Sequence, residues 1–202
     1  MLRTVSISLL AAFAVMLVIP AQAIDLNPFS LIKSAVEAAA EDRSSGDIAT
    51  DLKIKTAITA AIVDELGTDV ISLNVDVYEQ DVMLTGAVED PKLKQKAGQL
   101  SKAAEGVKKT YNDILVIKSI DKEKGAVENF VDDTVIESKV NALLLDGTGV
   151  NVTNFRWRSV GGRVFLFGRA LSNGELKKAI GIVKKIKNVT KVTSQVKVRP
   201  KS

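Results

Sequence analysis

The chain has 202 residues, with 28 Lys/Arg against 24 Asp/Glu for a formal net charge of +4, and it contains neither cysteine nor histidine. Those two absences exclude zinc sites of the usual kind, haem ligation, Cys–His nucleophiles and the Ser-His-Asp relay. A hydrophobic content of 46% with 26% charged residues fits globular domains, neither a disordered chain nor a protein spanning a membrane several times.

Arg3 is the only charge before 11 apolar residues, Leu9 to Ile19, and Pro20-Ala21-Gln22-Ala23 follows. That run is short of the roughly 20 residues a membrane span needs. The Ala-x-Ala pattern predicts a secretory signal over residues 1–23, cleaved after Ala23. No cysteine follows it, so lipid attachment is not expected, and the expected location is a bacterial periplasm. Residues 24–46 read as a lead-in. Phe29, Ile32, Val36 and Ala39 are spaced for one face of a short helix, and Asp42-Arg43-Ser44-Ser45-Gly46 breaks it.

A first module is expected over 47–117. Asp51 is placed to cap a helix whose apolar positions Ile54, Ile58, Ala61 and Ile62 share a face, and Gly67 ends it. Leu73, Val75 and Val77 alternate as a strand. Glu79-Gln80-Asp81 is a tight polar connection, and Val82, Leu84 and Val88 continue as the paired strand of a hairpin. Pro91 suits the start of a second helix burying Leu93, Ala97, Leu100 and Ala104. Residues 112–117 read as a third strand with Ile114 and Val116 facing inward.

Residues 118–127 read as a charged linker, and the same order recurs over 128–199. A helix over 130–145 is expected to turn Ile136, Val140, Leu143 and Leu144 inward. Strands at 152–159 and 163–170 are joined by Gly161-Gly162, a helix spans 174–187, and a last strand spans 191–198. Phe155 and Trp157 are read mainly as strand core. The recurrence keeps one register. Val82-Met83-Leu84-Thr85-Gly86 and Val164-Phe165-Leu166-Phe167-Gly168 lie 82 residues apart, and the same offset pairs Ile58 with Val140, Ala97 with Ala179 and Val116 with Val198. Apolar facing apolar without a gap indicates a tandem duplication. Gly86 and Gly168 are read as structural, because a side chain there would collide with a packed helix or demand an unfavourable backbone angle.

With the Val-x-Leu-x-Gly strand in both copies, Gly106-Val107, and Val189 with Val192, the chain resembles the BON (bacterial OsmY and nodulation) domain family over residues 42–199. Asp42-Arg43-Ser44-x-Gly46 and Tyr111-Asn112-Asp113-Ile114 are similar to the dual-BON outer-membrane lipid-binding lipoproteins, although the lipidated cysteine is missing. The resemblance implies an α+β chain of two tandem αββαβ domains, each a three-stranded mixed sheet with two helices on one face. It also implies no catalytic site and binding of anionic phospholipid through the second copy.

The copies diverge in charge. Residues 47–117 carry 8 Lys/Arg and 12 Asp/Glu, whereas 131–202 carry 14 and 5. Lys177, Lys178, Lys184, Lys185 and Lys187 flank the apolar face of the last helix. Away from the core face of helix 130–145 lie Val131, Val135, Ser138, Ala142 and Leu145. The matching first-copy positions, Ala49, Lys53, Thr56, Ala60 and Val63, form a less apolar set. Such a second stripe has to be covered by the first domain, by the lead-in or by a bilayer interface. These ten residues are the candidate lipid-binding set. The expected function is a non-enzymatic periplasmic envelope protein that binds an anionic phospholipid surface, with no cofactor, metal or nucleic acid. The alternative is a protein-interaction adaptor or holdase-like stress protein, partnered by other envelope proteins or joining its two oppositely charged modules.

Overall fold

The structure, a computed structural model, describes residues 41–67, 73–117 and 125–200, with the side chains of 125–131 outside that description. The expected signal sequence and the helical part of the lead-in lie outside the described residues. So do the linker over 118–124 and the side chain of Val131.

The first domain opens with α1 (Ser45–Leu66). Its N-cap is Ser44, whose hydroxyl accepts the Asp47 N–H at 3.0 Å, and Gly67 ends it at φ 69°. The cap expected at Asp51 is therefore corrected: Asp51 sits within the helix and is buried. Its carboxylate accepts the backbone N–H groups of Glu79 and Gln80, each at 2.7 Å. Those two residues form the turn between β1 (Asn74–Tyr78) and β2 (Asp81–Thr85), with φ of 50° and 65° although neither is glycine. A left-handed turn of this kind matches the twist of the strands it joins. The second copy repeats the device 82 residues on. Asp133 accepts the N–H groups of Gly161 and Gly162 at 2.7 and 2.9 Å, and glycine there adopts φ of 56° and 73°.

Strand β2 pairs antiparallel with β1 and parallel with β4 (Lys109–Asn112), while β3 (Ala87–Val88) pairs parallel with β5 (Leu115–Val116) beyond a break at Gly86. Helix α2 (Pro91–Ala103) lies beside α1, capped by Asp90 with proline at its first position. The third strand thus begins at Lys109, earlier than expected. Ile114 is buried, but Val116 is exposed, contrary to the inward placement expected for it. The second domain comprises α3 (Gly125–Leu145), β6 (Phe155–Val160), β7 (Arg163–Ala170), α4 (Asn173–Lys184), β8 (Lys191–Ser194) and β9 (Lys197–Val198). β7 is central, antiparallel to β6 and parallel to β8 and β9. A 3-10 turn over Val152–Asn154 replaces the expected start of the first strand.

One face of each sheet packs on its own two helices. Ile54, Ile58, Ile62, Val75, Val82 and Leu84 fill the first core, and Ile136, Val140, Leu144, Phe155, Trp157 and Leu166 fill the second. The opposite faces meet each other. Tyr78 and Met83 cluster with Phe165 and Phe167, and the rings of Tyr111 and Phe167 stand edge to face at 6.1 Å. The layers run helices, sheet, sheet, helices, with helices outermost on both sides.

Equivalent positions pair across the junction. Arg158 donates to both carboxylate oxygens of Asp76 at 2.8 and 2.9 Å, and Gln195 donates to Asp113 at 3.0 Å. In both pairs the partners lie 82 residues apart, so the domains are related by a local two-fold axis, the geometry of an isologous dimer carried in one chain. Burial alone would raise the Asp76 pKa, but the Arg158 charge and hydrogen bonds hold it below the usual carboxylate value. Around this pair, Arg169 and Arg199 reach Glu79, and Lys197 reaches Asp81. Residues 41–43 close one side of the junction. The Asp42 carboxylate accepts from Asn151 and Asn154 at 2.9 and 2.8 Å, Glu41 pairs with Arg43 and Arg156, and Arg43 pairs with Asp51. The Arg43 guanidinium lies 4.2 Å from the centre of the Tyr78 ring.

Candidate functional site

Helix α3 presents its core stripe at Ile136, Val140 and Leu144, each one helical turn from the next. Stacking of the sheets leaves the other side of the helix outermost, so the first domain does not cover it. Val135 and Leu145 are 45% and 62% exposed, and Ser138 and Ala142 are exposed with them. The Ser138 hydroxyl donates to the Thr134 carbonyl at 2.9 Å, so this polar group is already satisfied within the helix. Leu143, expected in the core, is 44% exposed. Core residues four apart leave position 143 about 100° around the helix from Leu144, toward α4.

The predicted set divides in two. On the flank beside α4, Leu143, Asp146 and Gly147 face Ile182 and Lys185 across a cleft of about 340 Å³. Lys178, one heptad before Lys185 on α4, donates its ammonium to the Thr148 carbonyl at the end of α3. A cation near the exposed carbonyls of a helix C-terminus is favourably placed. Lys177, Lys184 and Lys187 are exposed as well. Successive residues on a helix are turned by about 100°, so Lys177 and Lys184 point away from the cleft. Leu145 lies about 200° from Leu143 and faces away from α4. The structure therefore brings Leu143, Ile182, Lys178 and Lys185 together, but not Leu145 with the lysines.

Beneath the helix, the Glu137 carboxylate accepts the Ser159 N–H at 2.8 Å, and its carbonyl accepts from the Trp157 indole at 3.2 Å. Burial raises the Glu137 pKa, against the lowering effect of nearby Arg158. These groups hold α3 on its sheet and lie on the side opposite the exposed stripe. Among the described residues no group of three or more acids could hold a metal ion, and no helix is long and apolar enough to cross a membrane.

Sequence reading missed Leu143 and Ile182 as accessible residues, yet the duplication contains the signal. In the first copy Glu65 pairs with Lys96 at 3.0 Å. With the 82-residue offset, Lys96 becomes Lys178 and Glu65 becomes Gly147, while Ala61 becomes Leu143 and Ala103 becomes Lys185. The second copy has lost one acid and gained a leucine and a lysine at the same place. A side chain on Gly147 would approach the Ile182 methyl to 2.9 Å, so glycine is also what keeps the cleft open.

Gly86 and Gly168 adopt φ of 123° and 106°. The unfavourable backbone angle is thus the alternative that holds, and a Cβ at Gly168 would meet not a packed helix but the Asn154 carbonyl oxygen, 2.2 Å away in the turn before β6.

Comparison with known proteins finds the BON domain at residues 50–118 and again at 132–200. An uncharacterized protein encoded in the gshII 5' region of Anaplasma centrale is 33% identical over 128 residues, covering 63% of this chain and 82% of that protein. The osmotically-inducible protein Y of Escherichia coli K12 is 27% identical over 154 residues, covering 76% and 75%. The outer membrane lipoprotein DolP of Haemophilus influenzae is 29% identical over 164 residues, covering 78% and 79%.

Proposed function

The chain belongs to the BON-domain family, and from that premise we propose that it is a non-enzymatic envelope protein whose second domain attaches to an anionic phospholipid surface. One observation carries the reading. Where the first domain closes its two helices with the Glu65–Lys96 pair, the second has Gly147, and Lys178 and Lys185 flank an open cleft lined by Leu143 and Ile182. Val135 and Leu145 form a separate exposed apolar stripe on the outward side of the same helix, turned away from the cleft. A basic residue near an anionic bilayer contributes about 1 kcal/mol. Several of the five lysines acting together correspond to a dissociation constant of about 1 mM or somewhat tighter. Attachment is therefore weak, salt-sensitive and dependent on shallow apolar contact. The Ala-x-Ala signature at the N-terminus and the outer-membrane relative support an envelope location.

Co-sedimentation of the purified chain with anionic and with neutral vesicles, each at low and high salt, tests the reading. Anionic vesicles are expected to retain the protein at low salt and release it at high salt. Replacing Lys184 and Lys185 by Gln, or Val135 by Asp, is expected to weaken retention at low salt without lowering the melting temperature, because these side chains are exposed. Equal retention by both vesicle types, or by neither, removes the proposal. Stoichiometric recovery of one envelope protein without vesicle binding would favour the adaptor reading.

A further inference from the structure

The outward side of α1, on the opposite face of the molecule from α3, carries a second regular pattern. Ala49, Leu52, Thr56, Thr59, Val63 and Leu66 follow one another at intervals of three, four, three, four and three, the seam spacing of a two-stranded coiled coil. Leu52 and Val63 are 64% and 51% exposed, Ala49 and Thr56 are exposed, and Thr59 and Leu66 are half-buried, with Leu66 at the end of the seam packing partly against the first core. The Thr56 hydroxyl donates to the Leu52 carbonyl at 2.9 Å, so the residue offers its methyl group outward without leaving a donor unmet. Helix α2 lies along the other flank, where Glu65 pairs with Lys96.

The seam is palindromic. Running α1 against a second, antiparallel copy sets Ala49 opposite Leu66, Leu52 opposite Val63 and Thr56 opposite Thr59, large against small at one layer and matched at the others. Antiparallel coiled coils pair the two seam positions in this alternating way. One edge of the seam carries Lys53 and Asp64, both exposed. Reversal brings the Lys53 of each copy toward the Asp64 of the other, two ion pairs at the rim. We infer that α1 docks antiparallel on α1 of a second copy of this chain. The helix of 22 residues is about 33 Å long and the seam about 10 Å wide. That buries well under the roughly 800 Å² per partner of a stable complex, so the association is a weak, transient one. Because α1 and α3 face in opposite directions, such a dimer presents both second-domain surfaces at its far ends. The pairing itself does not depend on lipid binding.

The absence of cysteine allows a direct test in the whole chain. Residues 52 and 63 are 11 apart, so two copies of position 52 would sit about 16 Å apart along the pair, whereas 52 and 63 of different copies would be level. Purified Leu52→Cys and Val63→Cys variants are oxidised separately and as an equimolar mixture. The mixture is expected to give a cross-linked dimer at least several-fold faster than either variant alone. Sedimentation equilibrium of the unmodified chain, carried to high protein concentration because the interface is small, is expected to show dimer that Leu52→Asp with Val63→Asp removes. Both substitutions are on exposed positions, and an unchanged melting temperature checks the fold. A chain monomeric throughout, or cross-linking no faster in the mixture, overturns the inference. The seam would then be left to the lead-in or to a different partner.

Discussion

The Asp76–Arg158 pair offers the sharpest measurement of how the domains are joined. Asp76 is 5% exposed and loses both of its charged hydrogen bonds if Arg158 becomes Ala. Removing one partner of a buried ion pair costs about 3–5 kcal/mol. The Arg158 side chain retains 30% of its exposure, which places the loss nearer 3. Asp76→Ala leaves an arginine that can still reach water, and its cost is about half as large. A chain of this size loses about 2–4 °C per kcal/mol, so the expected falls are about 6–12 °C and 3–6 °C. Because the two positions are related by the local two-fold axis, exchanging them as Asp76→Arg with Arg158→Asp restores the separation of the charges. Lys55 lies near Asp76 and Glu137 near Arg158, and each favours the original arrangement. The exchange is therefore expected to recover about half of the summed loss. Thermal unfolding of the four proteins at pH 7 decides the matter. Strict additivity of the two losses in the exchanged protein would refute the two-fold pairing.

Three further outcomes follow from the same geometry. Gly168→Ala combines a positive φ with a 2.2 Å approach to backbone and should cost about 3–5 kcal/mol, whereas Gly161→Ala, with open space around it, should cost about 1; urea denaturation separates them. Asp51→Asn removes one of the two carboxylate partners of Arg43 and weakens the grip on the Glu79–Gln80 turn, so it should lower stability by about 2–3 kcal/mol, more than Asp133→Asn, for which no ion pair is seen among the described residues; paired denaturation curves check the order. The Asp76 pKa is depressed in the fold, so its contribution is present above the unfolded value of about 3.9 and disappears as pH falls through the folded one. The melting-temperature gap between the natural chain and Asp76→Asn should persist from pH 7 to 5 and close below about pH 4.

The duplication was legible because core positions must stay apolar in both copies, and the 82-residue register carried the element order with it. The junction was not read, although its signal is in the strands. Val82-Met83-Leu84 and Val164-Phe165-Leu166-Phe167 are continuous apolar runs, and a strand with both faces covered reads this way. Attention to alternation alone gave Val82, Leu84, Val164 and Leu166 to the helices and left Met83, Phe165 and Phe167 unassigned. The Asp51 error has a similar origin. An aspartate near a helix start reads as a cap, but its recurrence at Asp133, inside a helix again, ties it to the turn whose strained residues it holds. Leu143 was misplaced because core stripes at spacings of three and of four both fit the sequence, and the packing here selects four.

Charge asymmetry is where the sequence was most open to two meanings. An acidic first module and a basic second one indicate attraction, without saying whether the partner lies inside the chain or outside it. The structure divides most of the second module's cations by residue type, with the exposed Arg163 and the paired Lys197 as exceptions. Arg156, Arg158, Arg169 and Arg199 all reach carboxylates of the first domain or of the segment before it, with Lys197 beside them. The cations on and just after α4 are all lysines and all exposed. That division has a physical basis. A guanidinium offers several donors in a fixed fork and suits a permanent, partly desolvated pair, as the two-pronged contact with Asp76 shows. An ammonium is a strongly hydrated point charge on a flexible stem and suits a surface met transiently in water. Four arginines and Lys197 therefore account for the attraction between the domains and the segment before them, and no ion pair across that junction involves the lysines of α4 among the described residues.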